Sequence, residues 1–166
     1  MNPESKSPFI PCAFCSSAGE QACAEAWNLL LARDYGEPLL YWKFHRMAVD
    51  TYCLQHDHGI RTAKALAAHL CGLCIALEFE NDNERLRQLQ RWLSSRPDIQ
   101  KPPLPAYRGD LSIRDVSNIQ DPTAYGEAVQ RWAQTTWDSY RDLHDLAREW
   151  LRMSLSLKSK ILSSGK

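Results

Sequence analysis

Side chains that are mostly apolar recur at alternating spacings of four and three residues through the last third of the chain. The stripe consists of Val129, Ala133, Thr136, Tyr140, Leu143, Ala147 and Trp150. This spacing constrains the fold strongly, because it places the side chains on one face of an α-helix. No segment alternates with the period of two that a half-buried strand requires. The sequence therefore predicts an all-α fold.

The stripe belongs to a segment that has a clear helix start. Asp121 is a good N-cap residue, and Pro122 fits the first turn of a helix. The periodic pattern then continues, so the sequence predicts one unbroken C-terminal helix over residues 122–158. Its apolar face is wider than the seam of a two-stranded coiled coil, which is typical of a helix inside a bundle.

Four further helices precede this segment. Apolar spacing and the turn signals between the helices place them at about residues 20–33, 38–55, 62–79 and 83–94. A Pro-rich connection over residues 96–120, with one short helix near residues 111–119, leads to the last helix. A chain of 166 residues can bury a core of its own. We therefore expect a single helical domain over residues 1–166, a compact bundle of four to six helices preceded by an N-terminal Cys-x-x-Cys loop over residues 1–18.

Charge and hydropathy exclude several classes of protein. The chain carries 20 basic and 20 acidic residues, so it lacks the basic footprint of a dedicated nucleic-acid binder. The most apolar stretch, residues 63–79, is interrupted by Lys64 and His69 and is shorter than the roughly 20 residues of a membrane span. The N-terminal segment has no apolar run of the kind that an export signal needs. The sequence thus predicts a cytoplasmic protein with no strong nucleic-acid signal and no transmembrane segment.

The sharpest local motif is Cys12-Ala-Phe-Cys15. Two thiolates at this spacing in a short loop reach the same tetrahedral Zn²⁺ ion, and paired cysteines in a reducing compartment usually serve metal or redox chemistry. A redox motif would need neighbouring strands, and the sequence predicts none. A second pair, Cys71 and Cys74, lies within a predicted helix, where buried cysteines usually act as small apolar side chains. The motif therefore predicts a zinc-type site at Cys12 and Cys15.

Two histidines are the favoured third and fourth ligands. If the second and third predicted helices form an antiparallel hairpin, counting residues back from the turn places His69 near Val49, from where it could meet His45, while Cys71 and Cys74 lie closer to the level of His45. The predicted metal site therefore consists of Cys12, Cys15, His45 and His69, with zinc as the expected ion. Other candidates for the last two positions stay open, and these are Cys23, His56, Cys71 and Cys74.

Three functions are compatible with such a chain. A closed site with four protein ligands, the favoured interpretation, would clamp the N-terminal loop to the hairpin in a binding or accessory role. An open site would indicate an enzyme that uses zinc, iron or manganese, with His56 or His144 as general base and Asp50 orienting an imidazole. A partner subunit would act through the Pro-rich connection and the basic C-terminal helix, which could dock on a partner helix, an anionic membrane surface or RNA. The chain contains no P-loop, dinucleotide fingerprint, His-Glu-x-x-His or nucleophile-elbow motif.

Three motifs occur in a characteristic order. They are the Cys-x-x-Cys knuckle at residues 12–15, Val-Asp-Thr-Tyr-Cys-Leu-Gln-His at residues 49–56 and a Trp-rich final helix from residue 131. In this order the chain resembles a family of short, uncharacterised bacterial proteins, which typically have Cys-Pro-x-Cys-Gly and a Pro after the histidine; Ala13, Ser16 and Asp57 depart from that pattern. The resemblance implies a metal knuckle and names no reaction. At fold level alone, bundles with inward-facing histidines are also similar to metal-dependent enzymes of the DinB type.

Overall fold

The computed structural model describes Cys12 and residues 20–163 of the chain, and it describes side chains for Cys12 and residues 21–156. These residues form seven α-helices and no strand, which confirms the all-α prediction. The helices are α1 (Glu20–Gly36), α2 (Pro38–Gln55), α3 (Ala63–Glu78), α4 (Asn83–Ser94), α5 (Ile113–Ser117), α6 (Pro122–Ser139) and α7 (His144–Ser163). The predicted N-terminal loop lies outside the described residues except for Cys12.

Short polar side chains fix where several helices begin. The Thr62 hydroxyl accepts from the backbone N–H of Ala65 at the start of α3, and Asp121 accepts from Ala124 at the start of α6. At α5, the side chain of Ser112 and that of Asp115 form a capping box. Each cap satisfies backbone donors that have no partner within the helix. These caps are the physical reason that the helix starts could be placed from sequence.

The prediction of one unbroken helix over residues 122–158 is wrong. Helix α6 ends at Ser139, a 3₁₀ turn covers Arg141–Leu143, and α7 begins at His144. Tyr140, at the break, donates its hydroxyl to the carbonyl of Leu54 over 2.6 Å. A single 3₁₀ turn has nearly the same residue spacing as an α-helix, so the apolar stripe runs through the break undisturbed. The same break raises the number of helices above the expected four to six.

Helix α2 lies at the centre of the fold, in contact with α1, α3 and α6. Helix α7 packs on α3 and α4, and the short α5 packs against α1. Among the helices that the structure describes, none has the length and apolar character to pass through a membrane.

The Pro-rich connection is anchored on the C-terminal end of α2 through Gln55, which is fully buried. Its Nε2 donates to the carbonyls of Arg108 and Leu111 at 2.9 and 2.7 Å. Its Oε1 accepts from the indole N–H of Trp132 at 2.9 Å. One amide side chain thus joins α2, α6 and the connection, next to the histidine that follows it in the sequence.

A close backbone approach at Gly59 gives a testable prediction. A Cβ on Gly59 would lie 2.7 Å from the Cα of Cys53 and 2.8 Å from its carbonyl oxygen, so the turn after α2 has room only for glycine. Replacing Gly59→Ala is expected to lower the free energy of unfolding by about 1–3 kcal/mol, since the clash is with backbone that cannot rotate away. Urea denaturation measures this loss.

The matched control for this prediction is Gly36→Ala at the end of α1, where nothing lies within 4 Å of the added atom. That substitution should leave the free energy of unfolding within about 1 kcal/mol of the parent value. Equal effects at the two glycines would contradict the role of close approach at Gly59.

Candidate metal centre and buried carboxylate pairs

Cys12, Cys23 and His56 form the one cluster of metal-ligating side chains found among the residues that the structure describes. One ligand atom from each of the three lies within 4.8 Å of the other two. All three residues are buried, with 2%, 0% and 2% of their surfaces exposed. The side chains therefore meet in the interior, where a ligand set is shielded from water.

Chain topology explains why Cys23 and His56 meet. Helices α1 and α2 are joined by a single residue, Glu37, and pack against each other. In such an antiparallel pair the start of the first helix lies beside the end of the second. Cys23 is in the first turn of α1, and His56 is the C-cap residue of α2. Cys12 then joins them from the N-terminal segment.

The imidazole of His56 is oriented by its neighbours. Its Nδ1–H donates to the carbonyl of Tyr52 over 2.8 Å, which assigns the lone pair to Nε2. The Tyr52 ring lies 4.2 Å from the His56 ring and stacks on Trp27 of α1 at 4.3 Å and 8°. A backbone carbonyl that fixes the tautomer in this way is the usual outer partner of a metal-bound histidine.

The cluster fits a tetrahedral ion of the zinc type. Zinc binds thiolate at about 2.3 Å and imidazole at about 2.0 Å, so the ligand atoms of a tetrahedral site lie about 3.5–3.8 Å apart. The ligand atoms of the three residues lie within 4.8 Å of one another, which exceeds that spacing by about 1 Å at most. Small side-chain rotations would close the difference.

Only one of the four predicted metal ligands is seen in this cluster. Cys12 is in the cluster, and Cys15 lies outside the described residues. His45 and His69 do not belong to the cluster, because each is held by its own buried carboxylate. Cys23 and His56, which the sequence left as alternatives, take part in it.

The first pair of a buried carboxylate and a histidine lies between α1 and α2. Asp34 is fully buried, and its Oδ2 accepts from Nδ1 of His45 over 2.9 Å. Its Oδ1 lies 3.3 Å from the guanidinium of Arg33, which also donates to the carbonyl of Ile119 and covers the ring of Tyr125 at 3.7 Å. His45 is therefore part of a buried ionic network that joins α1, α2 and α6.

The second pair of a buried carboxylate and a histidine lies between α2 and α3. Asp50 is fully buried, with Oδ1 accepting from Nδ1 of His69 at 2.8 Å and Oδ2 accepting from Nε of Arg46 at 2.7 Å. The carboxylate rests against Gly72, where an added Cβ would clash with Oδ2 of Asp50. Both oxygens are thus satisfied, and the imidazole that Asp50 holds belongs to His69, which is outside the cysteine cluster.

The environment of His69 gives a prediction of pH dependence. Burial lowers the pKa of His69, but hydrogen bonds to Asp50 and Cys53 and the negative charge of Asp50 outweigh burial and raise the pKa to about 9. The folded pKa is above the unfolded value of about 6.5, so the stabilisation is complete below pH 6.5 and disappears as the pH rises through 9. Urea denaturation at pH 6.5 and 9.5 should show this decline, and NMR titration should give the pKa directly.

The control for the pH prediction is His69→Gln, which keeps a donor for Asp50 and cannot titrate. In this variant the free energy of unfolding should fall less between pH 6.5 and 9 than it does in the parent protein, because the contribution of His69 is absent. An unchanged decline in the variant would assign the effect to other groups.

The remaining candidates have structural partners. The thiols of Cys71 and Cys74 contact the carbonyl of Ala147 and the carboxylate of Glu78 at 3.5 and 3.7 Å. Burial raises the pKa of both thiols, to about 12 for Cys74. His144 stacks on Trp137 at 3.8 Å and donates through Nε2 to its carbonyl. The second cysteine pair and His144 therefore stabilise helix contacts.

Sequence reasoning missed Asp34, although a signal for it exists. Cys23, Ala26 and Leu30 follow the helical spacing of the buried face of α1, and Asp34 continues the same spacing. An acidic residue at a position of the apolar stripe indicates a buried charge that needs partners. Here the partners are Arg33 and His45.

The helices and the cluster define an all-α protein with a buried cysteine–histidine site. The chain belongs to DUF5946, a family of unknown function, whose model matches residues 10–141. That match spans Cys12, Cys23 and His56 and extends to the end of α6. Neither a curated protein nor a solved structure matches the chain.

Proposed function

We propose that this protein binds one zinc-type ion through Cys12, Cys23 and His56, with Cys15 as the fourth ligand. The observation that carries the proposal is the approach of three ligand atoms to within 4.8 Å of one another at a buried position. Cys15 is the natural fourth ligand because the Cys-x-x-Cys spacing brings both thiolates to one ion. His45 and His69 are not needed as ligands, since each already pairs with a carboxylate.

Four protein ligands make a closed site, and a closed site serves structure and not turnover. The ion would join the N-terminal segment to the start of α1 and the end of α2. Bound to the ion, the cysteines would be thiolates, and the charge of the ion would balance theirs in the interior. The role that follows is a binding or accessory protein whose N-terminal segment is ordered by metal, in a reducing compartment such as the cytoplasm.

Single substitutions test the ligand set. Cys12→Ser, Cys15→Ser, Cys23→Ser and His56→Gln each remove one proposed ligand, and zinc affinity is measured by competition with a chromophoric chelator. Loss of an outer partner alone costs 10–100-fold in affinity, so loss of a ligand is expected to cost more than about 100-fold.

The matched control is Cys71→Ser, in which serine can still donate to the carbonyl of Ala147. This variant should bind zinc as the parent protein does. Unchanged affinity in the Cys23→Ser or His56→Gln variant would contradict the proposed site. Loss of affinity in all variants except Cys15→Ser would show three protein ligands and an open position, which is the arrangement of a metal-dependent enzyme.

A further inference from the structure

A second candidate site shares no residue with the cysteine cluster. A cavity of about 260 Å³ opens between α2, α3 and α4. Most of its wall is apolar and includes Val49, Leu86, Leu89 and Leu93. One end is polar and is formed by Arg46, Asp50 and His69. A concave apolar cavity with a few convergent polar groups is the usual form of a small-molecule site.

The polar end carries an excess of positive charge. Arg46 and His69 both contact a single carboxylate, Asp50, at 2.7 and 2.8 Å, and the raised pKa of His69 favours its protonated form at neutral pH. The other titratable groups near this pair are Cys53 and Cys71, and burial raises the pKa of the Cys71 thiol. Asp50 is the only acidic residue among the described residues that line the cavity. One positive charge at the polar end is therefore not balanced by the lining.

Arg46 is placed to use that charge. It contacts Asp50 through Nε and places Nη2 near Gly72 of α3, so a carboxylate in the cavity would accept its hydrogen bonds from the terminal nitrogens of Arg46. Its side chain is 44% exposed, whereas Asp50 is buried beneath it. A guanidinium of this kind binds a carboxylate through two parallel hydrogen bonds.

We propose that this cavity binds a small organic monocarboxylate, with its carboxylate on Arg46 beside His69 and its apolar body between α2 and α4. The cavity volume is slightly below the ~300 Å³ at which most ligand sites begin, so the ligand is the size of an aryl or short alkyl carboxylate. The site is independent of the proposed metal centre, since none of the residues that line the cavity belongs to the cysteine cluster.

The test uses benzoate and its neutral isostere benzamide as probes, added to the ¹⁵N-labelled full chain and followed by NMR. Benzoate is expected to shift the amide signals of residues 46–50, 68–69 and 86–93, and to bind at least tenfold more tightly than benzamide. Equal binding of the two probes, or benzoate shifts confined to other parts of the chain, would overturn the proposal. The absence of any shift up to the solubility limit of benzoate would also overturn it.

Two test variants and one control distinguish the role of the Arg46 charge from the role of the cavity volume. Arg46→Met keeps the length of the side chain and removes the donors, so benzoate affinity should fall at least tenfold. Arg91→Met, at an exposed arginine of α4 outside the cavity, should leave the affinity unchanged. Ala68→Leu fills the cavity while keeping Arg46 and His69, and it should abolish binding. Benzoate that binds equally to the Arg46→Met or the Ala68→Leu variant would contradict the assigned site.

Discussion

Removal of the metal is expected to lower the free energy of unfolding by about 4 kcal/mol when the free zinc concentration is 1,000-fold above its Kd. The proposed ion would bind the folded chain, because two of its ligands, Cys23 and His56, are brought together by the pairing of α1 with α2. For a chain of 166 residues this loss corresponds to a fall in Tm of about 8–16 °C. Calorimetry of the metal-loaded protein, before and after chelation, measures it.

The control for the chelation experiment is the Cys23→Ser variant, which lacks one proposed ligand. Its Tm should be the same with and without the chelator, and close to that of the chelated parent protein. A parent protein that loses its metal completely and keeps its Tm would contradict a structural role for the ion.

Gln55→Leu is expected to lower the free energy of unfolding by about 3–5 kcal/mol. Leucine has a similar size, but it leaves three buried groups without their hydrogen-bond partner: the carbonyls of Arg108 and Leu111 and the indole N–H of Trp132. Each unsatisfied buried group costs about 1–3 kcal/mol, and partial relaxation of the connection reduces the sum. Urea denaturation followed by tryptophan fluorescence gives the value.

Gln134→Leu is the matched control, because Gln134 is an exposed residue of α6 whose amide bonds only to Asp138. Its effect should stay within about 0.5 kcal/mol. A loss below about 1 kcal/mol for Gln55→Leu would show that the Pro-rich connection is not held by this side chain.

Much of the fold could be predicted from the sequence because the signals are local. The predicted helices at 38–55, 62–79 and 83–94 agree with α2, α3 and α4 within one residue at each end. Apolar spacing, N-caps and prolines at the first turn depend only on nearby residues. The break at Tyr140 could not be predicted in this way, because the hydrogen bond of its hydroxyl is to Leu54, 86 residues away.

The candidate site was harder to predict because it depends on how helices pair. Counting residues along a hairpin placed His45 near His69, but it could not show that Asp34 and Asp50 supply separate partners for them. The knuckle residue Cys12 was identified from its motif, and it does meet a cysteine and a histidine. Those two partners, Cys23 and His56, come together because a one-residue turn folds α1 against α2.

The central claim is a zinc-type ion held by three cysteines and one histidine, and X-ray absorption on the purified full chain tests it most directly. Elemental analysis of the same sample should give one zinc per chain, and the absorption spectrum should show three sulfur neighbours and one nitrogen neighbour. Two sulfur and two nitrogen neighbours would contradict the proposed ligand set and favour Cys12 and Cys15 with His45 and His69. Protein purified without chelator that contains no metal would contradict the claim altogether.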